Sequence, residues 1–277
     1  MRVTVFGAGG LLGKELLRAW GQDSVAGFDL PDDIRDERRV REIVQQTRPD
    51  WVVVPAAYTD VDGCESNREL AYAVNRDGAV NVARAAKDAG ARLVFFSSDY
   101  VFDGKKTTPY ESGDRRNPQS VYGRTKAEAE ERLIEVMPDC CIVRTSWMFG
   151  MGGKCFPDTI LKLAATRPAL DVVNDQRGCP TYAADLARAV AQLCRKNATG
   201  IVHVTNAGDC TWHEFAVEIV RGAGLATEVR PVTSAQFVRP AARPAYSVLS
   251  PKSRLRAGIE MPSWQDALRR YLEERKG

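Results

Sequence analysis

Tyr122 and Lys126 are two side chains whose types and spacing suit proton transfer, and they lie in the segment 120–126, SVYGRTK. At the start of a helix, residues four apart share one face and lie one turn from each other. A tyrosine hydroxyl has a pKa of about 10, and a neighbouring ammonium group favours the phenolate and lowers that pKa. We expect Lys126, together with the positive charge of a bound cofactor, to lower the pKa of Tyr122 by roughly three units, or about 4 kcal/mol. The same spacing occurs in ordinary helices, so this chemistry requires a cofactor site and a substrate site elsewhere in the chain.

A glycine-rich turn near the N-terminus predicts the cofactor site. The strand-like segment 2–6, RVTVF, runs into 7–13, GAGGLLG, and then into a helical segment that reaches Trp20. Gly7 permits the tight turn, Gly10 lets the backbone approach a pyrophosphate, and Gly13 lets the helix pack closely on the strand. The first turn of that helix presents free N–H groups to the phosphates. The spacing G-x-x-G-x-x-G at a strand-to-helix turn is therefore typical of a dinucleotide site.

An acidic residue after the second strand bears on which dinucleotide is used. The strand 25–28 ends at Asp29, 22 residues after Gly7. At this position a carboxylate binds the adenosine ribose hydroxyls and repels a 2′-phosphate, which favours NAD over NADP. Three arginines follow closely and could reverse that preference: Arg35, Arg38 and Arg39. The sequence predicts NADH or NADPH and does not choose between them.

Two further strands end in polar or aromatic segments. The apolar runs 51–54, WVVV, and 93–96, LVFF, suit parallel strands that are buried on both faces. They lead into 55–58, PAAY, and 97–104, SSDYVFDG, at the strand ends where open α/β sheets bind ligands. A hydroxyl of Ser97 or Ser98 beside Tyr122 would polarise a substrate carbonyl. Strands and helices alternate through this half, which predicts an α/β fold with a Rossmann-type doubly wound parallel sheet.

The second half is predicted to carry a smaller α/β substrate-binding lobe. A fifth strand, 141–143, ends at 144–147, RTSW, and the glycines of 150–153 suggest a joint between lobes. We therefore predict an NAD(P)-binding domain over 1–150 and a substrate-binding lobe over 151–277. We expect about 168–182 to return to the sheet, so that the two parts interleave.

Composition excludes several other classes of protein. A chain of 277 residues with 44% hydrophobic residues can form a large domain with a smaller companion. A net charge of +3 is too small to indicate a nucleic-acid or membrane-surface partner. Seven cysteines without C-x-x-C, and only two histidines, argue against a disulfide framework and a structural zinc site. We expect a cytoplasmic protein with no metal site, no nucleic acid and no membrane partner.

Several longer motifs add a resemblance that covers nearly the whole chain. The glycine turn and Y-x-x-x-K resemble the extended short-chain dehydrogenase/reductase family. Within it, SSDYVFDG at 97–104, VYGRTK at 121–126, RTSW at 144–147 and NDQRGCPT at 174–181 resemble the dTDP-4-dehydrorhamnose reductase family. Two departures occur: Ser98 stands where threonine is usual, and 246–249, YSVL, stands where N-S-R-L is more common. The second departure concerns the nucleotide end of the substrate pocket.

The resemblance implies a reaction and a set of site residues. It implies reduction at C4 of dTDP-4-dehydro-6-deoxy-L-mannose to dTDP-L-rhamnose, with Ser98, Tyr122 and Lys126 as catalytic residues. It implies that Ser98, Asp99, Tyr122 and Trp147 bind the dTDP-linked sugar. With the glycine turn and the strand ends, the predicted cofactor-binding set is Gly7, Gly10, Leu11, Leu12, Gly13, Asp29, Asp33, Ile34, Ala57, Tyr58, Thr59, Phe96, Tyr122 and Lys126.

Two alternatives stay open at the level of sequence. One is another nucleotide-sugar reductase or an epimerase on the same scaffold. The other is a non-enzymatic protein like the regulatory subunit of methionine adenosyltransferase, against which the presence of Ser98, Tyr122 and Lys126 together argues. The sequence also leaves a homodimer open.

Overall fold

A computed structural model describes residues 1–21 and 24–276. The strands are β1 Arg2–Phe6, β2 Ser24–Phe28, β3 Trp51–Val54, β4 Arg92–Ser98, β5 Cys141–Thr145, β6 Met148–Phe149, β7 Ala169–Val173, β8 Arg177–Gly178, β9 Thr181–Tyr182, β10 Gly200–His203, β11 Cys210–Thr211 and β12 Glu228–Val232. The α-helices are α1 Leu11–Ala19, α2 Glu37–Thr47, α3 Val61–Ser66, α4 Arg68–Tyr72, α5 Ala79–Asp88, α6 Val121–Val136, α7 Phe156–Ala164, α8 Ala183–Arg195, α9 Trp212–Gly222, α10 Lys252–Arg256 and α11 Trp264–Glu274. A π-helical turn, Ala73–Gly78, joins α4 to α5, and short 3₁₀ turns span Asp99–Val101 and Ser234–Gln236.

Within the described residues, six strands form one parallel sheet in the order β10-β5-β4-β3-β1-β2. The chain leaves β1 to one side for β2 and returns on the other side for β3, so the switch point lies between β1 and β3. Open α/β sheets bind ligands at such a point. The doubly wound Rossmann-type fold predicted from the sequence is confirmed.

Apolar side chains cover both faces of this sheet. On one face, α1 and α8 pack on residues such as Val53, Val94 and Phe96. On the other face, α2, α5 and α6 pack on their sequence neighbours, including Leu93 and Phe95. Because successive strand residues point to opposite faces, an uninterrupted apolar run can fill both cores, as the runs 51–54 and 93–96 predicted.

A third apolar cluster forms the core of the smaller lobe. It is built around the aromatic rings of Phe149, Phe215, Trp264 and Tyr271. Three small two-stranded sheets, β6 with β9, β7 with β12 and β8 with β11, belong to this half of the chain.

The sheet contradicts one prediction about how the two halves interleave. Residues 168–182 do not return to the main sheet, because β7 pairs in parallel with β12 instead. The sixth strand is β10, which pairs with β5, and α8 lies on the sheet with it. An apolar strand pattern shows that a segment is extended but not which sheet it joins. The division at residue 150 stays a proposal, with the interleaving carried by 183–203.

Among the described residues, no helix has both the length and the apolar character needed to cross a bilayer. The same part of the chain contains no cluster of three or more His, Cys, Asp or Glu side chains arranged to hold a metal ion.

Candidate active site

One cavity of about 670 Å³ opens along the carboxyl ends of the central strands. All seventeen residues that the sequence predicted for the cofactor and substrate sites line it: Gly7, Gly10, Leu11, Leu12, Gly13, Asp29, Asp33, Ile34, Ala57, Tyr58, Thr59, Phe96, Ser98, Asp99, Tyr122, Lys126 and Trp147. The structure therefore brings the glycine turn and the Tyr–Lys pair to the same cavity. Their individual roles stay predictions.

The glycine turn is tight because two backbone segments approach each other closely. Gly7 has φ +96°, and a Cβ there would lie 2.6 Å from the backbone N of Ala56. A Cβ on Gly13 would lie 2.1 Å from the carbonyl O of Gly7. A side chain at Gly7 would push the turn away from the loop after β3, and one at Gly13 would push α1 away from the turn. The glycine turn and the start of α1 thus present main-chain N–H groups to the cavity, which fits a dinucleotide pyrophosphate.

Three arginines that could favour NADP are already paired. Arg35 donates to Asp33, with Nη2 2.5 Å from Oδ2, and Arg39 Nε lies 2.7 Å from Asp32 Oδ1. Arg38 Nε lies 3.0 Å from Glu42 Oε1. The hydrogen bond from Arg35 lowers the pKa of Asp33. Solvent-exposed ion pairs contribute only about 0–1 kcal/mol, so a phosphate could still recruit Arg35, the one of these arginines that lines the cavity.

The N-terminus of α6 fixes Tyr122 against the end of β4. Ser120 Oγ accepts a hydrogen bond from Gly123 N at 3.1 Å, and Glu65 Oε1 accepts one from Val121 N at 2.8 Å. A Cβ on Gly123 would lie 2.2 Å from the carbonyl O of Tyr100. This glycine therefore lets α6 pack directly on the turn that follows β4. The rings of Tyr100 and Tyr122 meet edge to face, with centroids 5.6 Å apart.

A buried amide holds the loop after β3 to the second turn of α6. Asn75 lies in the π-helical turn, and its Oδ1 accepts a hydrogen bond from Tyr58 N at 2.8 Å. Its Nδ2 donates to Tyr58 O and to Thr125 Oγ1, each at 3.1 Å. Since Thr125 precedes Lys126, this bridge fixes the lysine relative to the cavity wall at Tyr58.

Lys126 is buried behind Tyr122, with 3% of its surface exposed. Its Nζ donates to the carbonyl O of Phe96 at 3.1 Å and lies 6.0 Å from the ring centroid of Tyr122. Burial lowers the pKa of Lys126 to about 8, because the charged form loses hydration. Lys126 is therefore mostly an ammonium at pH 7 and loses its proton on the alkaline side of neutrality.

The prediction that the pKa of Tyr122 is lowered is wrong as far as the protein's own groups are concerned, because together they raise it. Burial raises that pKa well above its ordinary value, the Asp99 carboxylate raises it further, and a hydrogen bond with Ser98 acts weakly in the other direction. Spacing alone predicted the approach of Lys126 but not the loss of solvent or the neighbouring carboxylate. Tyr122 is consequently a protonated phenol over the whole neutral range.

Ser98 and Asp99 form a hydrogen-bonded unit in front of Tyr122. Ser98 Oγ donates to Asp99 Oδ1 at 2.8 Å and accepts from Tyr100 N at 3.2 Å. Asp99 is 1% exposed, and its Oδ2 has no hydrogen-bond partner among the described residues. Burial raises the pKa of Asp99 to about 6.

Trp147 also lines the cavity, and the aromatic wall that it forms with Trp212 is tightly packed. Trp147 has φ +46°, a left-handed conformation that is rare for residues with a side chain. Its ring stacks on that of Trp212, with centroids 3.5 Å and planes 7° apart. A Cβ on Gly178 would lie 2.5 Å from the Trp147 ring, so Gly178 packs closely against the indole.

The sequence had already placed Arg35, Ser97 and the segment 55–58 near a ligand, but the cavity also has lining residues outside the predicted set of site residues. They are Leu30, Asp32, Arg35, Pro55, Ala56, Val61, Leu70, Val74, Ser97, Tyr100, Thr145, Ser146, Met148 and Lys154. Most flank a predicted residue, so proximity in the sequence was a usable signal for them. Lys154 comes from beyond the predicted domain boundary, and no pattern in the sequence marks it.

The parallel sheet, the glycine turn and the Tyr–Lys pair on one cavity define a short-chain dehydrogenase/reductase type of protein. The RmlD substrate binding domain family matches residues 1–276. The chain is 44% identical to the spore coat polysaccharide biosynthesis protein SpsK of Bacillus subtilis, covering 99% of this chain and 98% of that protein. It is 41% identical to a dTDP-4-dehydrorhamnose reductase of Mycobacterium tuberculosis, over 96% of this chain and 91% of the relative.

A solved structure agrees with these relatives. The dTDP-4-dehydrorhamnose reductase of Bacillus anthracis, in complex with NADP, superposes with a TM-score of 0.95, 39% identity and 99% coverage of both chains. The chain belongs to the dTDP-4-dehydrorhamnose reductase family, as its motifs predicted.

Proposed function

We propose that this protein reduces the C4 ketone of dTDP-4-dehydro-6-deoxy-L-mannose to dTDP-L-rhamnose, with NADH or NADPH as the reductant. The observation that carries the proposal is the single cavity lined by both the glycine turn and the group Ser98, Tyr122 and Lys126. Family membership supports the substrate. The NADP held by the Bacillus anthracis relative supports the cofactor.

The residues present fit a dinucleotide. Gly7, Gly10 and Gly13 line the cavity where a pyrophosphate would lie, and Asp29 stands at the end of the neighbouring strand. Lys126 would hold the nicotinamide ribose. When bound, the reduced nicotinamide supplies the hydride that is added to C4.

The chain itself supplies the proton. Tyr122 donates its hydroxyl proton to the C4 oxygen as the carbonyl becomes an alcohol, and a phenolate remains. The raised pKa keeps Tyr122 protonated before the reaction, and the ammonium of Lys126 stabilises the phenolate after it. General acid catalysis of this kind contributes roughly 10²–10⁴-fold in rate.

Ser98 and Trp147 orient the sugar. The Ser98 hydroxyl, which donates to Asp99 in this structure, would turn towards the C4 oxygen and donate there. Trp147 offers a flat apolar face to the ring of the sugar, and Asp99 offers its Oδ2 atom, which makes no hydrogen bond within residues 1–21 and 24–276. Positioning of this kind lowers the entropic part of the barrier.

The test is oxidation of NADH and NADPH by the purified protein with a dTDP-linked 4-keto-6-deoxysugar, with the product identified by NMR. Formation of dTDP-L-rhamnose supports the proposal. Cofactor retained through purification and not exchanged would indicate an epimerase. Cofactor binding without turnover across several dTDP-linked 4-keto sugars would indicate a regulatory protein and would overturn the reductase. Sedimentation equilibrium tests the homodimer.

A further inference from the structure

Glu130 is a fully buried carboxylate one turn beyond Lys126 on α6. It accepts hydrogen bonds from Arg144 Nε at 2.8 Å and Nη2 at 2.6 Å. It also accepts from Arg116 Nη1 at 3.0 Å and from the hydroxyl of Ser97. One side chain therefore joins α6, the end of β4, β5 and the loop before α6.

The cluster extends one layer further on the side of Arg144. Arg144 Nη1 donates to the carbonyl O of Ser112 at 3.1 Å and lies 3.4 Å from His203 Nε2. Burial, with the charge of Arg144, lowers the pKa of His203 to about 3, so this imidazole is neutral at working pH. The buried charges of the cluster are Glu130 and Arg144, and Arg116 at its edge also pairs with the exposed Glu131 at 3.0 Å.

The free energy of folding does not by itself account for this cluster. Removing charges from water costs several kcal/mol per ion, and a buried ion pair often adds little over an apolar core of the same volume. The cluster is better explained by the residues that it positions. Ser97 is the residue before the predicted catalytic Ser98, and Lys126 precedes Glu130 by one helical turn.

The groups that face Lys126 are few. Among the described residues they are the carbonyl of Phe96, the rings of Phe95 and Tyr122, the Cys64 side chain and the Glu130 carboxylate. Of these, Glu130 carries a full charge at neutral pH, because Arg144 and Ser97 bond to its ionised form and lower its pKa against the effect of burial.

We propose that Glu130 is a positioning residue for Ser98, Tyr122 and Lys126: it fixes Ser98 through Ser97 and places a negative charge one helical turn from the Lys126 ammonium. This inference rests on the proposed reductase function. It assigns no contact between Glu130 and the substrate.

Two variants test the charge in opposite directions. Glu130→Gln leaves Arg144 and Arg116 uncompensated near Lys126, so the alkaline limb of kcat should move down by about one pH unit. Arg116→Met leaves the pair with Arg144 in place and exposes Lys126 to more of the negative charge, so the limb should move up. The limb is assigned by NMR titration of ε-carbon-labelled lysine, with Lys126→Met identifying the signal.

A third variant and a control separate position from charge. Ser97→Ala removes one hydroxyl and no charge, so kcat should fall several-fold while the limb and the cofactor Kd stay in place. Glu135→Gln removes an exposed carboxylate of the same helix and should change neither kcat nor its pH dependence.

The proposal is overturned if the alkaline limb of kcat stays fixed, or moves in the same direction, in Glu130→Gln and Arg116→Met. Should Glu130→Gln not fold, Arg116→Met alone decides: an upward shift supports the proposal and an unchanged limb overturns it. The lysine titration reads the charge effect without turnover, so it remains interpretable if the sugar assignment fails.

Discussion

Asp29 Oδ2 accepts a hydrogen bond from the backbone N–H of Gly9 at 2.6 Å. The other carboxylate oxygen accepts from Leu30 N at 2.8 Å. Asp29 therefore braces the glycine turn from the end of β2, besides standing where the adenosine ribose would bind. A carboxylate in this place affects the cofactor both by its charge and by the shape of the turn.

Replacement of Asp29 by alanine should change both the cofactor preference and the cofactor affinity. Loss of the charge relieves repulsion of a 2′-phosphate, so the NADPH/NADH ratio of kcat/KM should rise. Loss of the bond to Gly9 loosens the turn, so the Kd of both cofactors should rise several-fold as well. Steady-state kinetics and fluorescence titration with each cofactor measure the two effects. An unchanged ratio would show that Asp29 does not reach the ribose.

The sequence was most informative where a pattern is local. Asp36, Thr211 and Ser263 accept hydrogen bonds from backbone N–H groups in the first turns of α2, α9 and α11, so these helix starts depend on residues close together in the sequence. The glycine turn and Y-x-x-x-K are likewise short motifs whose geometry follows from adjacent residues. That is why the fold and the location of the site could be predicted.

Contacts between residues far apart in the sequence could not be predicted from such local patterns. Asn75 bonds to Thr125, and Glu130 bonds to Arg144, across 50 and 14 residues respectively. The pairing of β7 with β12 joins segments separated by a helix-rich stretch. The pKa of Tyr122 depends on burial and on Asp99, which is 23 residues earlier in the sequence (122 − 99). No periodicity encodes such pairs, so their effects appear only in three dimensions.

Tyr122→Phe should remove the proton donor while keeping the ring against Tyr100. Turnover should fall by at least ~10²-fold, since general acid catalysis is lost, and the cofactor Kd should stay almost unchanged. Single-turnover kinetics with both cofactors check this. Near-normal turnover in the variant would mean that another group supplies the proton.

Asp99→Asn should stabilise the protein in a pH-dependent way. The folded pKa of about 6 exceeds the ordinary value of 3.8, so the folded state binds the proton more tightly than the unfolded state does. Ionisation of Asp99 therefore costs stability as pH rises from about 4 to 6, in total about 3 kcal/mol. The variant's gain in free energy of unfolding should be small near pH 4 and full above about pH 7. Urea unfolding across this range measures it, and a pH-independent difference would contradict the assignment.

Trp212 should control sugar binding through the ring of Trp147. The left-handed backbone of Trp147 is unfavourable by roughly 1–2 kcal/mol, and stacking on Trp212 helps to hold it. In Trp212→Ala the indole loses that support, so KM for the sugar nucleotide should rise by up to about tenfold, with a smaller change in kcat. The cofactor Kd should not change, because Trp212 does not line the cavity.

Circular dichroism gives a readout that does not depend on turnover. Two indoles stacked at 3.5 Å should produce an exciton couplet, which Trp212→Ala abolishes. Trp212→Phe keeps a stacked ring and should give an intermediate KM. Trp264→Phe serves as the matched control, because that tryptophan lies in the core of the smaller lobe. It should lower stability while leaving both the couplet and KM unchanged. An unaltered KM in Trp212→Ala, despite loss of the couplet, would show that the aromatic wall does not bind the sugar.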